Sequence, residues 1–149
     1  MAAIKYTVEI PNKCGRFPIK GLNELLDGKI YDYRTKRYRN PVKRSNDQIC
    51  LRAINKCMKG VKIDKPIRCI YWIYAKDKRH DRTNLYNIDK SFLDALQLAG
   101  VIKNDSWDYV YDSEFHTELC RENPRIIIEI EEVENADQKG NNNIRYGNG

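Results

Sequence analysis

The sequence predicts an α+β fold: a single small domain in which a mixed sheet packs with two main helices. Three observations lead there. The chain has 149 residues, enough for one core. Several segments carry β-branched or period-two runs, and two carry apolar residues at helical spacing. Their order, strand–helix–strand–helix–strand–strand, mixes both types within one unit.

Ile4 to Ile10 alternates apolar and polar residues and reads as the first strand. Pro11 to Gly21 holds two prolines and two glycines and reads as a loop. Lys29 to Arg44 is the most basic stretch, with Tyr31, Tyr33 and Tyr38 among its cations. A helix is expected from Ser45 to about Lys59, with Ser45 as N-cap, Gln48 as its capping-box partner and Gly60 as the stop. Ile49, Cys50, Ala53, Ile54 and Cys57 form its apolar face.

Pro66 precedes Ile67 to Tyr74, a run of strand formers in which Trp72 is expected in the core. The charged turn Lys76 to Arg82 follows, where His80 neighbours Asp81 and reads as solvated or as orienting that acid. Leu85, Ile88, Phe92, Leu96 and Ala99 recur every three or four residues, a second amphipathic helix ended by Gly100. Trp107 to Phe115 reads as a short strand, and Arg125 to Val133 as a strong last one. From Glu134 the chain is Asn, Gly and charge. The domain is therefore expected over 1–133 and a flexible polar tail over 134–149.

Composition narrows function. The longest uncharged apolar stretch, Cys69 to Ala75, is far below the roughly 20 residues of a membrane span. Residues 1–6 lack a signal peptide's apolar core. Five cysteines without a Cys-x-x-Cys pair speak against a disulfide scaffold or zinc ribbon, so a cytoplasmic location is expected. Residues 1–90 hold 22 Lys and Arg against 9 Asp and Glu, and residues 91–149 hold 5 against 12. A basic half of this kind points to a polyanion such as nucleic acid. Arg34, Lys36, Arg37, Arg39, Lys43 and Arg44 are the candidate phosphate contacts, with Lys78, Arg79 and Arg82 beside Asp81. The tyrosines read either as platforms for unpaired bases or as packing under the loop.

The densest polar constellation surrounds the second helix. Asp81 precedes it, Asn84 lies near its start, and Asn87, Lys90 and Asp94 share a face. Asn104, Asp105 and Asp108 follow Gly100. Two converging carboxylates suit Mg²⁺, and Lys90 suits an anionic phosphate. The ordinary readings stand beside this one: Asp81 or Thr83 as a helix cap, and Lys90–Asp94 as a surface ion pair. Trp107 reads as packing or as a shield for Asp105.

These segments resemble the RusA-type Holliday-junction resolvases, in particular the phage-like branch. The resemblance rests on Asp81-Arg82-Thr83-Asn84, Leu93-Asp94-Ala95-Leu96, and Gly100-Val101-Ile102 followed by Asn104-Asp105. Gly21-Leu22-Asn23-Glu24 and Glu122-Asn123-Pro124-Arg125 extend it over roughly residues 4–133. It implies a RusA-like α+β fold and a homodimer that cuts four-way DNA junctions with Mg²⁺, for which Mn²⁺ substitutes, in recombination and repair. It also implies Asp81, Lys90 and Asp105 as catalytic residues, Asp81, Asp105 and Asp94 toward the metal, and Asn84 and Asn104 in support.

One position departs from the family. Thr83 stands where a second Asp is expected, and its hydroxyl is a poor replacement on Mg²⁺. An ungapped count back from Lys90 would instead put Asn84 and Tyr86 at the acidic positions. Asp89 and Asp108 are the nearby acids that would replace the lost ligand. The alternative function is a catalytically weakened or inactive branched-DNA-binding protein of the same fold.

Overall fold

The computed structural model describes residues 4–79 and 81–134. His80 and the tail from residue 135 onward, both given roles above, lie outside them. The elements are β1 (Lys5–Ile10), α1 (Leu22–Asp27), β2 (Ile30–Asp32), β3 (Arg37–Arg39), α2 (Pro41–Cys57), β4 (Ile67–Ala75), a 3₁₀ turn (Arg82–Leu85), α3 (Ile88–Leu98), β5 (Val110–Leu119) and β6 (Arg125–Glu132). The main sheet is mixed, ordered β1-β6-β4-β5, and β2–β3 is a separate hairpin. β4 and β5 run parallel, joined through α3, and the other neighbours are antiparallel.

Period-two patterning sets the two faces of the sheet. On β4, Ile67, Cys69, Tyr71, Ile73 and Ala75 are buried, as are Ile126, Ile128 and Ile130 on β6. They share one core with Cys50 and Ile54 of α2 and Phe92 and Leu96 of α3. Each fully buried isoleucine, leucine or phenylalanine among them contributes roughly 1.5–3 kcal/mol of transfer free energy. Trp72 alternates to the opposite face and is only half-buried, contrary to its expected place in the core. Its Nε1 donates to Glu129 at 2.8 Å and its ring stacks on His116 at 4.3 Å. A ring with one polar atom is well served there, because one end can be apolar and the other bonded.

α2 starts four residues earlier than the expected Ser45. Asn40 is its N-cap, accepting from the Val42 and Lys43 amides at 3.1 Å each, and Pro41 occupies the first turn. An Asn cap followed by Pro fixes a start that Ser45 cannot displace. Lys43 and Arg44 therefore belong to a helix and not to the basic loop. The β2–β3 hairpin and the six-residue α1 add elements that the period rules did not suggest. β5 begins three residues later than expected and continues to Leu119. Gly100 ends α3 with φ +77°, its amide donating to Gln97, as a glycine just past a helix does. Among the described residues no helix is long and apolar enough to cross a membrane.

Candidate nucleic-acid interface and acid–lysine site

The faces of α2 and α3 that meet carry a chain of alternating charges. Lys43 Nζ donates to Asp47 Oδ2 at 2.7 Å and to Asp94 Oδ2 at 3.0 Å. Lys90 Nζ lies 3.2 Å from Asp94 Oδ1 and 3.4 Å from Asp105 Oδ2. The sequence Asp47–Lys43–Asp94–Lys90–Asp105 thus ties two helices to the turn after α3. In that turn Asn104 Oδ1 accepts from the Ser106 amide at 2.9 Å, which fixes the backbone around Asp105.

These contacts shift the titrations. Burial works to lower the Lys43 pKa, but hydrogen bonds to Asp47 and Asp94 outweigh it and raise the value. Burial works to raise Asp94, and the hydrogen bonds from Lys43 and Lys90 reverse that, holding it below the usual carboxylate range. Lys90 is raised, chiefly by its hydrogen bond to Asp94. Asp94 is therefore more than half of a surface ion pair: it bridges ammoniums from two helices.

Asp81 is placed elsewhere. It borders a cavity of about 400 Å³ walled by Ala75 and Leu119, the last residues of β4 and β5, with Asp77, Lys78, Arg82 and Glu118 around it. Its side chain does not cap the 3₁₀ turn; its carbonyl accepts from the Asn84 amide at 2.9 Å. Among the described residues Asp81 makes no hydrogen bond or ion pair with Lys90, Asp94 or Asp105. The Asp105 turn leads instead to Tyr109, whose carbonyl accepts from Ile67 at the amino end of β4. Lys78 and Arg82 do border the Asp81 cavity, and Arg79 pairs with Asp77 at 3.5 Å.

Asn84 is 6% exposed and receives the Asn23 amide on Oδ1 at 2.8 Å. A Cβ on Gly21 would come within 2.3 Å of Asn84 Nδ2, so only glycine fits that close approach. The Gly21-Leu22-Asn23-Glu24 and Asp81–Asn84 segments are thereby packed on each other. The Lys20 carbonyl accepts from Asn46 and Asn87 beside them, at 3.0 and 2.9 Å.

Asp89 faces the sheet, its Oδ1 accepting from Tyr71 at 2.7 Å and Ser113 at 2.8 Å, away from the Lys90 contacts. Asp108 is exposed in the turn, and Trp107 is 85% exposed, so packing is not its role. Thr83 is exposed in the 3₁₀ turn. Tyr86 is stacked on Phe115 at 4.4 Å, and so serves packing.

The donor set at the α2–α3 seam is all oxygen, which is what Mg²⁺ takes. Two buried acceptors, Asp47 Oδ1 on α2 and Asn87 Oδ1 at the N-cap position of α3, have no hydrogen-bond partner among the described residues. Among those residues no three His, Cys, Asp or Glu are grouped to hold a metal. Asp94 and Asp105 each present a carboxylate to the same lysine, Lys90, and Asp94 a second oxygen to Lys43.

The hairpin carries the exposed cations. Arg34 and Lys36 lie in its turn and Arg37 and Arg39 on β3, all exposed. Tyr31 packs against Tyr33 at 4.8 Å and Tyr38 at 5.0 Å, with Lys29 over the Tyr38 ring at 4.6 Å. Tyr33 stays 84% exposed. The tyrosines pack on one another at the surface and are not buried under the loop. Arg44 is exposed on α2, whereas Lys43 is committed to its two carboxylates.

Asp47 was missed in the sequence. Its signal is the i,i+4 spacing from Lys43, hidden once the helix is started at Ser45. No protein-family model and no curated protein matches the chain.

Proposed function

We propose that the chain is a Mg²⁺-dependent, structure-selective endonuclease with a RusA-like fold, cutting four-way DNA junctions symmetrically as a homodimer in the cytoplasm. The observation that carries this reading is the Lys90 ammonium set against both Asp94 and Asp105, three residues that the resemblance names. Asp105 and Asp94 would hold the ion; Asp81, which the resemblance also names, borders the separate cavity at the ends of β4 and β5 and is not part of that pair. Bound there, Mg²⁺ supplies an activated water and neutralises charge building on the phosphate. Lys90 gives the departing oxygen a positive partner. Lys43 keeps Asp94 ionised and oriented from α2. The exposed hairpin cations neutralise backbone phosphates, and Tyr33 offers a face to an unpaired base at the branch.

A second reading has its own support: Thr83 brings no carboxylate, and lysines already balance both Asp94 and Asp105. In that reading the protein holds branched DNA without cutting it. A synthetic four-way junction with Mg²⁺ or Mn²⁺ separates the two. Paired nicks that disappear in Asp105→Asn support the nuclease. Salt-sensitive binding with no nick, together with nicking gained in Thr83→Asp, supports the DNA-holding protein.

A further inference from the structure

A concave surface far from the charged seam is used by neither reading above. It is a cavity of about 480 Å³ between the end of β1, the loop after it and the outer side of α2. Its floor is apolar: Ile10, Pro18, Ile49 and Ala53. Ile49, Arg52, Ala53 and Lys56 fall at helical spacings of three and four, so one stripe of α2 supplies apolar floor and basic rim together.

The rim carries Lys13, Arg52 and Lys56, all exposed and none in an ion pair among the described residues. The one carboxylate there, Glu9, is already paired with Arg125 at 3.6 Å. Three unbalanced cations therefore surround an apolar floor. The loop wall is preformed as well. Lys13 and Arg16 exchange backbone hydrogen bonds at 2.9 and 3.0 Å. Asn12 Nδ2 donates to Asn123 at 2.8 Å, and its Oδ1 accepts from the Gly15 amide at 3.0 Å. A wall held this way costs little ordering on binding.

We propose that this groove is a docking site for an acidic peptide segment of a partner protein that carries an aliphatic or aromatic anchor. Carboxylates meet Lys13, Arg52 and Lys56, and the anchor sits on Ile49 and Ala53. The floor argues for a peptide over nucleic acid, since phosphate contacts need no apolar platform. The proposal does not rest on the nuclease reading.

Fluorescence anisotropy of the full chain with a labelled peptide of alternating Asp and Leu ending in Phe tests it. Arg52→Glu with Lys56→Glu, both at exposed positions, is expected to weaken binding about tenfold or more. Ile49→Ser, or the same peptide with Ser in place of Leu and Phe, is expected to weaken it similarly. Bound peptide should also slow alkylation of Cys57, which lines the groove. Circular dichroism melting keeps folding defects apart from binding defects. Absence of binding, binding indifferent to these changes, or displacement of the peptide by single-stranded oligothymidine would each overturn the proposal.

Discussion

Lys90 and Asp105, fifteen residues apart in the chain, meet side chain to side chain at 3.4 Å. The whole of α3 beyond its first turn lies between them. The contact thus depends on where Gly100 ends the helix as much as on the two residues themselves. Asp105→Asn is expected to reduce Mg²⁺-dependent junction cutting by roughly a hundredfold or more while leaving junction affinity intact. Asp81→Asn, in its separate cavity, is expected to cost less. Single-turnover cleavage alongside gel-shift titration reads both, and the reverse ranking would move the chemistry to the Asp81 cavity.

Asp94 links the site to acid stability. Its pKa is lowered in the folded protein, so its contribution is complete above the unfolded Asp value of about 3.9. That contribution is lost as pH falls through the lower folded value. Asp94→Asn should therefore be destabilising at pH 7, by about 1–2 kcal/mol, and much closer to wild type in strong acid. Urea melts across that pH range provide the measurement, and a constant difference at every pH would contradict the linkage.

Hairpin substitutions should act on DNA and leave folding alone. Arg34→Ala and Arg37→Ala are each expected to lower the slope of log affinity against log salt by about one. Tyr33→Ala should lose roughly 1–3 kcal/mol of binding to a junction with unpaired bases, without that salt signature. Melting temperatures that fall in these variants would assign the side chains to structure.

Gly21 and Asn84 form a steric pair. Gly21→Ala is expected to cost about 1–3 kcal/mol, because the added methyl meets a buried amide. Combined with Asn84→Ala the cost should be less than the sum of the two single changes. Strict additivity would show that the close approach carries no energy.

Thiol chemistry offers a quick check of the packing. Cys14 and Cys57 are exposed and should react promptly with a disulfide reagent. Burial pushes the Cys69 thiol up to about 12 and raises Cys50 as well, so both should stay silent until the protein unfolds.

The strands were legible because alternation is a local property: Val8, Ile10, Ile126 and Ile128 announce their face within a few residues. Partner choice was not, since the parallel pairing of β4 with β5 depends on how α3 returns the chain. Trp72 was misread because β4 is apolar on both faces, and only Glu129 and His116 across the sheet give it a polar setting. The hairpin escaped notice because Tyr31 and Tyr38 face each other across strands only three residues long. For the candidate site, the Lys90–Asp94 contact was readable from its four-residue spacing, and Asp105 entered through the turn after Gly100 and the resemblance. Asp47 was lost with the helix start, and Asp81 lies outside any strand or helix, where there is no period to read.

Among the described strands β6 lies between β1 and β4, so a strand made after both of them joins β1 to the centre of the sheet. Lys5 pairs with Glu131, and among the described residues β1 has no other neighbour in the sheet. A chain arrested before Arg125 holds β1 on one side and the β4–β5 pair on the other, with the place of β6 open between them and the facing edges of β1 and β4 unpaired. Synthesis must pass Glu132 before this sheet can close. A chain cut short of β6 is therefore expected to aggregate through those open edges and not to fold as a smaller domain.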